Sequence, residues 1–184
     1  MALPAGIHRF GPDTVSLLIR TYREGVAAKA GHDLVLVVTR WDATVEVAGE
    51  PARWTIELNA DPGSLEVREG LGGVKPLTDS DRVEIRRNIE AKVLGRHPIR
   101  FRSGDVRPVE EEEEGRVVVD GVLSMAGSDR PLSAQLTVKA GGVISATIPL
   151  RQSDWGIRPY SGLLGALKVR DEVQVAIGAT LPSG

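Results

Sequence analysis

His32 stands beside Asp33, and a histidine with a carboxylate to orient it is the smallest apparatus for general acid–base catalysis. The pair opens HDLVLVV, a run with strand character, and adjacent residues on a strand point to opposite faces. The two side chains therefore do not make a ready dyad. His8, His32 and His97 are isolated from one another and show no metal-ligand spacing. Ser153 and Asp154 lack the context of a nucleophile elbow, and Ala126–Arg130, AGSDR, reads as a hairpin turn rather than a phosphate-binding loop. With no cysteine in the chain, thiolate metal sites, thiol nucleophiles and disulfides are excluded. The expectation is a protein that is not an enzyme and uses no cofactor and no metal, with His32 as a hydrogen-bonded structural residue at a strand start.

The elements that hold these residues are mostly strands. In RWTIELNA, Trp54, Ile56, Leu58 and Ala60 fall on one face, and Arg53, Thr55, Glu57 and Asn59 on the other. Alternation recurs in Val15, Leu17 and Ile19; in Ile99 and Phe101; in Leu123 and Met125; in Leu132, Ala134 and Leu136; and in Val173, Val175 and Ile177. Counted with HDLVLVVTRWDATVEV and VISATIPLRQSD, the pattern gives about eight strands. Turns at GPD, AGEPA, AGSDRP and AGGV make most links short, so the strands are antiparallel. One stretch keeps a different period. Thr78 with Asp81 three residues on forms a capping box, and Ile85, Ile89 and Val93 recur every four residues until Gly95 and Pro98. An amphipathic helix is predicted near Asp79 to Leu94. Its Arg82, Arg86, Arg87 and Lys92, mixed with Glu84 and Glu90, read as a solvated face, and Glu110–Glu114 as a hairpin tip.

The chain has 184 residues, 41% of them apolar, which suits one domain over 1–184. With 23 basic against 25 acidic residues, the net charge of -2 supplies no global attraction to nucleic acid. The first residues, MALPAGIHRFGPD, carry no basic n-region and no apolar h-region, and no apolar run nears the ~18–20 residues of a membrane span. A cytoplasmic protein without stable membrane insertion is expected.

Arg151 to Val173, RQSDWGIRPYSGLLGALKVRDEV, is unusual for a connection because it holds Trp155, Tyr160, Leu163, Leu164 and Leu167. Leaving such side chains in water forgoes roughly 1.5–3 kcal/mol apiece. Gly156, Pro159, Gly162 and Gly165 bend the segment, so it is predicted to fold over the sheet or its open end as a plug or lid.

The succession GPDTVSLLIRTYREG, AKAGHDLVLVV, HPIRFRSGDV and VDGVLSMAGSDRPLSAQLTV, then Gln152 to Ile157, Ala166 to Val169 and Asp171 to Val173, resembles the YceI-like family of lipocalin-like lipid-binding proteins. The likeness runs in the same order over nearly the whole chain. Gly31-His32-Asp33-Leu34 resembles a subgroup with a Gly-His pair here; where those members repeat the histidine, this chain has Leu34. The resemblance implies an all-β fold, an extended antiparallel barrel of eight strands with a helix beside it, and an apolar tunnel that in some members holds a polyisoprenoid chain or amide.

A small apolar or amphipathic ligand is accordingly the expected partner. Trp41, Trp54, Phe101 and Met125 are the large members of the inward sets, and Trp155, Tyr160, Leu163 and Leu164 are placed to close one end. Arg158, Lys168 and Arg170 could meet a polar head, favouring an acid or phosphate over a quaternary amine. Leu34, Leu36 and Val38 oppose Val35 and Val37, so this strand is apolar on both faces. Its outer face needs the helix, the lid or a second subunit, and a homodimer would satisfy it.

Overall fold

The computed structural model describes residues 5–49, 54–109, 115–139 and 143–180. The acidic run Glu110–Glu114 and parts of the AGEPA and AGGV turns lie outside the described residues. The first half of the chain contains β1 (Gly6–Phe10), β2 (Val15–Thr21), β3 (Arg23–Glu24), β4 (Asp33–Val38), β5 (Trp41–Val47), β6 (Thr55–Ala60) and β7 (Leu65–Leu71), followed by α1 (Asp79–Asn88). The second half contains β8 (Ile99–Val109), β9 (Gly115–Met125), β10 (Ser128–Val138), β11 (Val143–Arg151), β12 (Ser161–Gly162), β13 (Leu167–Val169) and β14 (Glu172–Thr180). Among the described residues, eleven strands form one sheet in the order β1-β5-β6-β8-β9-β10-β11-β14-β2-β4-β7, and β12-β13-β3 form a second. Every ladder is antiparallel.

The strand number differs from the expected eight because the sheet is folded at a corner. The chain turns at Gly11–Thr14 between β1 and β2, at Thr39–Arg40 between β4 and β5, and at Asp61–Ser64 between β6 and β7. These turns are neighbours: Phe10 faces Ala43, Trp41 faces Ala60, and Val38 faces Leu65. Each pair is one long strand bent at the same line, so three bent strands and five straight ones, β8 to β11 and β14, make up the eight. The corner is held by backbone and side chains together. Asp61 N donates to Arg40 O at 3.0 Å and Thr39 N to Ser64 O at 3.1 Å. The Arg40 guanidinium meets Asp61 at 2.7 Å. The buried Ser64 hydroxyl donates to Asp61 O at 2.8 Å. Arg40 and the Gly63 amide hold the Asp61 carboxyl below the usual carboxylate range.

The bent strands curl the sheet into a lipocalin-type antiparallel barrel. It has one slit, since β6 pairs with β8 but its continuation β7 does not. The helix fills that slit. It covers the predicted span, with α1 passing into a π-helical turn over Ile89–Leu94, and it packs on β7. Its capping box is formed: Thr78 Oγ1 accepts from Asp81 N at 3.2 Å and Asp81 Oδ2 accepts from Thr78 N at 2.8 Å. Thus the helix is part of the wall rather than an appendage beside it.

Candidate functional site

Alternation places Leu17 and Ile19 of β2, Leu34, Leu36 and Val38 of β4, Leu58 and Ala60 of β6, and Leu123 and Met125 of β9 on the inner face. β10, β11 and β14 contribute Leu132, Ala134, Leu136, Ile148, Leu150, Val173 and Val175 in the same manner. An interior lined so heavily with Leu, Ile and Val would fill itself if the barrel were narrow. It does not: these residues surround a cavity of about 660 Å³, within the 300–1,000 Å³ typical of small-molecule sites. Ile85, Ile89 and Val93 close the slit side of the wall.

One inward position is left empty by design of the sequence. Gly121 carries no side chain where a Cβ would meet the Phe101 ring at 2.6 Å and Arg102 O at 2.4 Å. The ring, one strand over on β8, takes that space and still reaches the cavity wall.

The corner end is closed by buried Val38, Ala60 and Leu65. The charged residues on the wall, and Tyr160, belong to the opposite end, which is the mouth: Arg23, His32, Lys75, Asp81, Glu84 and Lys168. Two loops frame it. The first, Gly72–Leu77, is tied down by His32, whose Nε2 lies 2.8 Å from Lys75 O. A carbonyl has no proton to give, so Nε2 is the donor. The imidazole rests where a side chain on Gly73, at φ +77°, would stand. Arg23 adds a clamp, donating to Gly31 O at 2.8 Å and Leu71 O at 2.9 Å. Asp33 accepts from Arg23 N at 2.8 Å. His32 and Asp33 thus have separate partners, as their alternation requires.

The second loop is the 151–173 segment. Its start is fastened by Gln152 Nε2 donating to Arg170 O at 2.9 Å, Ser153 N to Asp171 Oδ1 at 2.8 Å, and Trp155 Nε1 to Leu123 O at 2.8 Å. Beyond it, Ile157, Tyr160, Leu167 and Lys168 reach the cavity wall. Lys92 of the helical segment sits 5.6 Å over the Tyr160 ring, joining helix and segment across the mouth.

The expected site residues are therefore divided. Phe101, Met125, Tyr160 and Lys168 lie together on the cavity wall. Trp41 is buried in the core at the corner, and Trp155 is buried against β9 as an anchor, both off the wall. Trp54 is half-buried just before β6, Arg158 is exposed, and Leu163 and Leu164 form an exposed tip. The Gly72–Leu77 loop and the helix side of the wall were not among the expected site residues. The Ile85/Ile89/Val93 period signalled the latter, since a helical apolar stripe needs something to cover.

A YceI-like domain model matches residues 30–181. The chain belongs to the YceI-like family. The solved structures similar to it include Burkholderia cenocepacia BcnA, at 14% identity and TM-score 0.65, covering 91% of this chain and 96% of that one. A mutant of the CJ YCEI protein matches at 10% identity and TM-score 0.52, over 80% and 85% of the two chains. At these identities the likeness is one of fold. No curated protein matches the chain in sequence. Membership of the family agrees with a lipid-binding fold, and among the described residues no helix is long and apolar enough to cross a membrane.

Proposed function

We propose that this protein binds, and stores or carries, a small amphipathic lipid with an isoprenoid or fatty-acyl tail, without performing chemistry on it. The cavity carries this reading: about 660 Å³ with walls of Leu, Ile, Val, Phe and Met and the charged groups gathered at one end. A tail inserted there gains ~0.8 kcal/mol per buried methylene, so eight carbons supply roughly 6 kcal/mol before ordering costs. With only two Phe and two Tyr in the chain, a flat heterocycle finds few stacking partners, whereas a flexible tail needs only aliphatic walls. Phe101 and Met125 line the tail's path, and Tyr160 stands at the mouth. Lys168, with Lys75 across the opening, is the group that meets an anionic head. The carrier works in an aqueous compartment, the cytoplasm on the sequence expectation, which fractionation of the native cells would check. Outward Val35 and Val37 lie in register with Leu18, Arg20, Glu66 and Glu69, whose stems flank them. A homodimer across that face is a separate expectation, and sizing chromatography decides it.

The test is solvent extraction of protein purified from a lipid-containing host, followed by mass spectrometry. A co-purifying aliphatic or prenyl lipid is expected; an aromatic heterocycle would overturn the reading. In parallel, Ala134→Trp places a large ring in the cavity and should cut uptake of a fluorescent prenyl or fatty-acid probe by about tenfold or more while the barrel stays folded. Unchanged uptake would move the ligand elsewhere.

A further inference from the structure

The tip of the 151–173 segment exposes two consecutive leucines, Leu163 at 63% and Leu164 at 110%. Both have left-handed backbone, at φ 48° and 54°, a region leucine seldom occupies. The chain thus departs from its favoured geometry and holds two apolar side chains in water rather than folding them onto the Tyr160 and Leu167 wall beside them. They have company. Ala27 N donates to Ala166 O at 2.9 Å, which sets the loop with Val26, 96% exposed, against the leucine turn. The Arg23 clamp on Leu71 O brings in the exposed Leu71, and Val74 stands out from the other mouth loop. These five side chains edge the opening through which a tail must pass.

We propose that this rim docks on an anionic lipid bilayer, so that the cavity fills and empties against the membrane surface. The proposal rests on the lipid reading of the cavity. Two observations favour a bilayer over a second copy. The apolar groups sit on loop tips, with Leu164 and Val26 almost fully exposed, and such side chains suit a fluid apolar phase that needs no matching recess. The flank beside the leucine tip is cationic. Lys29 precedes the Gly31 that Leu167 packs on, Lys168 lies on β13, and neither has a carboxylate within ion-pair distance among the described residues. The acidic groups at the mouth, Asp81 and Glu84, are on the helix side, so the molecule tilts with the tip and its cations toward the headgroups. Glu24, opposite Lys168 on β3, reduces but does not reverse that bias.

The experiment is flotation of the full chain, freed of extracted lipid, with vesicles of phosphatidylcholine alone or mixed equally with phosphatidylglycerol. The protein should float with the mixed vesicles and release in high salt. Leu164→Asp and Val26→Asp should each lower partitioning by about tenfold with circular dichroism and thermal midpoint unchanged. No flotation of the parent chain, or equal flotation of the variants, would overturn the proposal. So would a parent dimer on sizing that Leu164→Asp converts to monomer, which would make the rim a self-interface. A prenyl probe offered in solution separates the two readings. Probe binding without flotation sinks the docking surface alone, and flotation without probe binding leaves the docking surface and sinks the lipid cavity.

Discussion

At the residue scale, three positions decide the shape of the site. Gly121 gives Phe101 its place, and Gly121→Ala forces either the ring or the β8 backbone to move. A loss of about 1–3 kcal/mol in stability is expected, read by urea unfolding, because the contact at Arg102 O is with rigid main chain. His32 pegs the Gly72–Leu77 loop through its bond to Lys75 O. His32→Ala should leave the barrel folded but speed hydrogen exchange over residues 72–77; unaltered exchange there would show that the bond to Lys75 O holds nothing. Lys168 is the group that tests the proposed headgroup contact. Lys168→Glu should weaken binding of a fatty-acid probe and spare the corresponding alcohol, and an equal effect on both would remove the ammonium from headgroup recognition.

At the scale of elements, the corner and the helix start are where local chemistry sets tertiary geometry. Asp61 accepts from Arg40 and Gly63, and these partners lower its pKa in the folded state. A depressed folded pKa means that the contribution is present above the unfolded value near ~3.9 and is lost as pH falls through the folded one. Asp61→Asn should therefore be less stable than the parent at neutral pH, with the two urea midpoints converging in acid. A constant gap across pH would mean that the charge is irrelevant to the corner. Asp81 and Asp120 are lowered in the same direction, Asp81 by the Thr78 amide and Asp120 by the Ser133 hydroxyl and then Arg107, so acid loosens the helix start and the β8–β9 ladder together. The cap itself is testable: Thr78→Ala should cost about 1 kcal/mol in thermal or urea unfolding.

At the scale of the whole molecule, the slit between β7 and β8 explains how a barrel of ordinary strand number keeps a hollow interior. A helix in the gap lengthens the wall, and Ile85, Ile89, Val93 and Leu94 are the apolar side chains that it turns to the cavity. The 151–173 segment is fixed at both ends and exposed at its tip, so its two jobs are separable. Trp155→Phe removes the indole donor to Leu123 O, which keeps its place in the β9 ladders. The expected cost is about 1 kcal/mol, with probe uptake reduced only as far as the mouth loosens.

Period-two alternation determined most of this protein from sequence. Inward sets such as Leu34/Leu36/Val38 and Leu132/Ala134/Leu136 are one-dimensional patterns that a pleated strand must turn to one side, and they line the cavity wall. The helix was legible for a like reason, because its capping box and four-residue spacing are local. The order of short blocks along the chain also carried the family. What the sequence left open was everything that depends on where strands lie relative to one another. Size and apolarity mark Trp41 and Trp54 as lining and Trp155 as closing one end, but a side chain's size does not say whether it meets a void or a packed neighbour. The bend at Thr39–Arg40 and Asp61–Ser64 sends Trp41 into the corner, and the bond to Leu123 O takes Trp155 off the wall. Likewise Leu163 and Leu164 were expected to cover the opening, and their left-handed backbone turns them outward. Hydrophobicity favours burial without naming a direction; only the curled sheet with the helix in its slit, with its corner at one end and its mouth at the other, supplies one.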